Sequence, residues 1–192
     1  MAEPTTRFRE WPLATATTAL DTAAERLAAV ASEAVVSTGS GNELDFGTVD
    51  ISAGAANSGV KTCAWDVTAD GGNTTVETFK LWLSSNGFDQ AGTVVKFQPL
   101  SGGDNAAPST TENYVANAVV GSYTWATMPE SEPGTQNVYP TDEGTSMALS
   151  TTSDDVVFWA EYLAVASGET TGTYSGTTAD YQFQHTFKYS YS

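Results

Sequence analysis

With 192 residues, 40% of them hydrophobic and 11% aromatic, the chain holds enough apolar material for one well-buried core and too little length for two average domains. Its 23 Asp and Glu against 7 Lys and Arg give a formal charge of -16, which repels phosphates and anionic headgroups and argues against nucleic acid and membrane as partners. One cysteine, Cys63, excludes an intrachain disulfide, and one histidine, His185, leaves too few ligands for a common nitrogen and sulfur transition-metal site.

Residues 1–13, with Pro4, Pro12 and an isolated Trp11, form an extended arm ending in an apolar anchor. No basic-then-apolar leader opens the chain and no apolar run approaches the ~18 residues of a membrane span, so cytoplasmic synthesis without Sec-type export is expected. All three arginines (Arg7, Arg9, Arg26) lie in this front part, which sets it apart electrostatically from the body. From Thr18, the residues Leu20, Ala23, Ala24, Leu27, Ala28, Val30 and Ala31 recur at helical spacing and predict one helix, ending between Val35 and Ser40. Its alanine stripe suits close packing on another helix or a flat sheet.

From Glu43 the pattern turns to strands, with threonine abundant and short apolar alternations divided by Gly, Asn, Asp, Ser and Pro. Eight are predicted, over residues 44–51, 60–68, 76–84, 93–100, 119–127, 146–150, 156–165 and 181–191. Turn material falls between them at Asp70-Gly-Gly-Asn73, Ser85-Asn-Gly-Phe88, Ser101-Gly-Gly-Asp104 and Thr171-Gly-Thr-Tyr174. The expected fold is mostly β: an antiparallel sandwich, Ig-like or jelly-roll in type, over residues 41–192, preceded by an arm and helix over 1–40. The last segment alternates most cleanly, with Tyr181, Phe183, His185, Phe187, Tyr189 and Tyr191 on one face and polar residues on the other. Two longer loops, 102–117 and 129–143, are the natural places for binding.

Candidate chemistry is sparse. His185 sits mid-strand among aromatics and reads as a packed histidine rather than a general base, and Cys63 shares a strand face with Trp65 and Val67 as a small buried hydrophobe. The acidic pairs Asp142-Glu143 and Asp154-Asp155 lie beside turns, where Asp also caps backbone donors. Catalysis by them is the lesser reading; calcium is the metal such oxygen-rich loops would suit, although no Asp-x-Asp-x-Asp-Gly loop is present. No glycine-rich phosphate cradle occurs, and no other cofactor is implied. Among aromatics, Tyr114 and Tyr139 fall in the long loops and are the expected contact residues for a ligand, whereas Trp82, Trp125 and Trp159 alternate within strands and are expected largely in the core.

The run Leu44-Asp-Phe-Gly-Thr-Val49, residues 60–67 and Gly71-Gly-Asn-Thr-Thr-Val76 together resemble the opening strands of immunoglobulin-like modules, without their cysteine pair. Residues 158–165, Ala166-Ser-Gly-Glu-Thr-Thr-Gly-Thr-Tyr174 and the aromatic strand are similar to the last hairpin of β-sandwich proteins on tailed-virus particles. The acidic, lysine-poor composition resembles proteins of halophilic archaea and their viruses. The resemblance implies a non-enzymatic virion protein, a capsid-decoration, turret or fibre/tail component, made in the host cytoplasm and assembled with its own copies and other virion proteins. Arg7, Arg9, Trp11, Leu20 and Leu27 would anchor it. The rival is a carbohydrate- or receptor-binding module contacting a host-surface glycan, and a third reading, a hydrolase using the Asp/Glu pairs, ranks below both.

Overall fold

The computed structural model describes residues 2–10, 34–36, 44, 46–100, 125–138, 146–149, 155–172 and 183–192. They form an antiparallel β-sandwich. The strands are β1 (Thr5–Glu10), β2 (Ala34–Val36), β3 (Ala56–Asn57), β4 (Lys61–Ala69), β5 (Thr75–Asn86), β6 (Val94–Leu100), β7 (Ala126–Thr127), β8 (Ser146–Ala148), β9 (Asp155–Val165) and β10 (Phe183–Tyr191). The larger sheet has the order β2-β1-β4-β9-β6-β7, with β3 pairing the end of β9, and the smaller has the order β10-β5-β8. No helix occurs among the described residues, and nearly all of the expected helix lies outside them.

Two-residue periodicity places the core. On β4 it points Cys63, Trp65 and Val67 inward, on β9 Val157 and Trp159, and on β6 Val95 and Phe97, all buried against Phe79, Leu81 and Leu83 of β5. Ala64, Asp66 and Ala160, on the opposite face of the larger sheet, are buried too, so that sheet is covered on both faces.

Strand β5 changes parity partway. Lys188 pairs with Lys80 but Ser190 pairs with Glu77, so Tyr189 faces two residues, Thr78 and Phe79. This is a β-bulge, and Thr78 carries it with φ 62°, a conformation that β-branched residues rarely adopt. Glu77 and Thr78 are therefore both exposed, Val76 and Phe79 are both buried, and from Lys80 to Ser84 the even residues face outward; a second register shift at Ser84 then pairs Ser85 with Gln184 and Asn86 with Phe183.

The segment read as an arm belongs to the sandwich: β1 pairs with β4 from Thr5↔Ala69 to Glu10↔Cys63, and β2 pairs with β1 on its other side. The reason is Phe8, which faces Trp65 in register and packs its ring edge-on to Trp159 and Phe187. Ala34 and Val35, read as the end of the helix, lie in β2. The strand expected over residues 44–51 does not form among Leu44 and residues 46–51. Gly47 turns the chain at φ 72°, and Asp50 accepts the Ser52 N–H in a local turn.

Both chain ends meet the β4–β5 turn. Gly71 and Gly72, at φ 64° and 82°, make the tight reversal expected of Asp70-Gly-Gly-Asn73, closed by Asn73 N–H donating to Asp70 O. Ala2 N–H donates to Gly71 O, and Thr74 and Thr75 N–H donate to Ser192 O. At the opposite pole the loops before β6 and after β9 clamp each other: Glu169 accepts the N–H groups of Asp89 and Gln90, while Thr170 donates through its N–H and hydroxyl to Asp89.

Candidate functional site

Two arrangements stand out, one inside the sandwich and one on its surface. The inner one grows from the parity of β9, which places Glu161 on the core face one step beyond Trp159, where its residue is wholly buried. Its Oε2 accepts a hydrogen bond from Trp159 Nε1 at 3.0 Å and lies 3.0 Å from Nε2 of His185 on β10. Oε1 has no hydrogen-bond partner. The alternation that gives β10 its aromatic face thus also delivers His185 across the interface to a carboxylate on the other sheet.

Beside them, Lys61 is the register partner of Glu161 but gives its ammonium to Glu10 Oε1 at 2.5 Å. A buried carboxylate with one oxygen unsatisfied costs free energy, whereas the histidine and tryptophan donors repay part of it. The pair bridges the two sheets through their side chains. Cys63, adjacent on the core face of β4, is buried, as its alternation predicts.

The outer arrangement lies on the small sheet. Past the Thr78 bulge, Lys80, Trp82 and Ser84 of β5 share the solvent face with Gln184, Thr186 and Lys188 of β10, and Trp82 stands directly across from Thr186. Trp82 is half-buried there, which corrects its assignment to the core; the alternation Phe79-Lys-Leu-Trp-Leu83, which pairs it with Lys80, was the signal. The facing ammonium groups of Lys80 and Lys188 are held by Glu132, at 3.0 and 2.9 Å. Those bonds, that from Lys188 first, hold the Glu132 carboxyl below its ordinary value. At the end of β5, beyond the second register shift, Asn86 donates to Glu130 at 2.5 Å.

Glu130 and Glu132 come from a loop that seals the free edge of β5. Pro129 O accepts Leu83 N–H, Gln136 Oε1 accepts Phe79 N–H, and the Asn137 amide both accepts from and donates to the Leu81 backbone. A side-chain amide here stands in for a neighbouring strand, which protects an exposed edge.

Of the expected anchoring residues, Arg7 lies on β1 and bonds Asp66 of β4 through Nε and, at 2.8 Å, through a terminal nitrogen. Arg9 also lies on β1, paired with Ala64. Trp11, Leu20, Leu27, the loop residues Tyr114 and Tyr139, and Asp142, Glu143 and Asp154 lie outside the described residues; Asp155 opens β9 opposite Val67. Trp159 is buried as expected, whereas Trp125 is half-buried and packs edge-on against Tyr162, with centroids 4.9 Å apart. Among the described residues no group of three or more His, Cys, Asp or Glu is placed to hold a metal ion, and no helix is long and apolar enough to cross a membrane. No protein-family model, no curated protein and no solved structure matches this chain.

Proposed function

We propose that this protein is a non-enzymatic structural component of a virus particle, a capsid-decoration, turret or fibre/tail protein that displays its β-sandwich. The observation that carries the reading is the meeting of residues 2 and 192 at one pole, both hydrogen-bonded to the β4–β5 turn. A tether at either residue would attach at that pole and leave the clamped loops of the opposite pole displayed. A rigid sandwich stapled by cross-sheet rings suits passive display, and the charge of -16 suits a surface bathed in salt, where a Debye length of about 3 Å at 1 M screens self-repulsion.

In this reading copies of the chain associate with one another and with other virion proteins, and the Arg7 guanidinium also bonds Asp66 within the sandwich. Two measurements test it. Peptide mass spectrometry of purified virus particles should find the chain at a copy number comparable to that of the coat protein. Light scattering should show a homo-oligomer that persists in molar NaCl. Absence of the chain from particles, or a monomer at every salt concentration, overturns the proposal.

A further inference from the structure

The outer face of the small sheet joins three features. An indole is held partly exposed in mid-strand on a surface where its neighbours are polar. A β-bulge at a strained threonine puts it there: without the parity change at Thr78, the alternation begun at Val76 would turn Trp82 into the core and Leu81 and Leu83 outward. Hydrogen-bonding groups bracket it along the strands, with Lys80, Lys188 and Glu132 toward one pole and Asn86 with Glu130 toward the other.

We propose that this face binds a neutral saccharide, with a pyranose ring stacked on Trp82. An indole buries the apolar C–H face of a sugar at low conformational cost, while the groups around it reach the hydroxyls. Charge selects among glycans. The ionic groups beside Trp82, Lys80, Lys188 and Glu132, form an ion-paired cluster of mixed sign, while the molecule at -16 repels sialylated or sulfated chains. Two ions of the frame retain hydrogen-bonding capacity: Lys188 and Glu132 remain substantially open to solvent, at 56% and 41%. A hydroxyl donates to the carboxylate and accepts from the ammonium, which an acidic or a basic ligand cannot do at both. This inference is independent of the particle role: a displayed sandwich need not bind sugar, and a sugar-binding sandwich need not belong to a particle.

Affinity electrophoresis of the full chain through gels containing amylose, galactomannan or mixed-linkage β-glucan tests it, with a sialylated and a sulfated glycan as controls. At least one neutral polymer should retard the wild-type protein, and the anionic glycans should not. Trp82→Ala should weaken that binding by at least about tenfold, and Trp82→Tyr, which keeps a ring, by less. Lys188→Ala, on a solvent-exposed side chain, should weaken it while leaving the thermal midpoint close to wild type, which keeps the test decisive if Trp82→Ala folds poorly. Failure of every neutral polymer to retard the wild type, wild-type binding by both Trp82→Ala and Lys188→Ala, or preference for the anionic glycans overturns the proposal.

Discussion

Phe187 of the last strand stacks on Trp65 of β4 across the sandwich, with ring centroids 4.9 Å apart and 22° between the planes. The same ring stacks on Trp159 at 5.9 Å, meets Phe8 edge-on at 6.0 Å and tilts against Phe79 at 5.9 Å, so one residue ties the small sheet to three strands of the large one. Phe187→Ala should therefore destabilise the fold by about 3–5 kcal/mol in urea titration, and Phe187→Leu by clearly less. Equal effects would show that the ring contacts, rather than apolar volume, are what the position supplies.

Gly71 illustrates a different constraint. Its φ of 64° lies in the left-handed region, and a Cβ there would come within 2.5 Å of Ala2 O. Gly71→Ala should cost about 1 kcal/mol or more and loosen the front segment, seen as faster amide exchange at residues 2–6. Gly72→Ala, at φ 82° but with open space around it, should leave that segment protected.

The Glu161–His185 bridge should behave as a buried pair whose parts are worth less alone than together. His185→Ala leaves Glu161 with the Trp159 N–H as its remaining bond and should cost roughly 3 kcal/mol, whereas Glu161→Leu combined with His185→Leu should recover part of that loss. Urea midpoints of the single and double variants decide it; a strictly additive double variant would refute the coupling.

Glu132 links stability to acid. Its carboxyl is lowered in the folded state by Lys188 and then Lys80, so its contribution is present above the ordinary glutamate value of 4.5 and is lost as pH falls through the lower folded value. Removing it also leaves Lys80 and Lys188 directly opposed across the strands. Glu132→Gln should lower the thermal midpoint at pH 7 and low salt, and the difference should shrink in high salt and toward pH 3. A difference that holds at pH 3 would assign the effect to shape instead of charge.

The existence of β4, β10 and the first tight turn was legible from local pattern. The alternation of Cys63, Trp65 and Val67, the aromatic face of β10 and the glycine pair of the first tight turn depend on backbone geometry within a few residues, and those elements form where the sequence places them. The residues of the inner arrangement were visible only singly. His185 was recognisable as a packed histidine, but Glu161, 24 residues away on another sheet, carried no signal of its own beyond its place in the alternation of β9.

What only the tertiary structure decided is which strands become neighbours and which face each turns to the core. Thr5–Glu10 looks like an arm in isolation, because six residues cannot show that Phe8 will lie opposite Trp65. Trp82 looks like core, because a large aromatic in a strand normally is, until the bulge at Thr78 and the pairing with β10 put it beside Lys80 on the wet side. The physical reason is one of range. Alternation and turn chemistry follow from steric limits on adjacent residues, whereas register and burial follow from hydrophobic contacts between segments far apart in sequence, whose strength depends on the partner each finds.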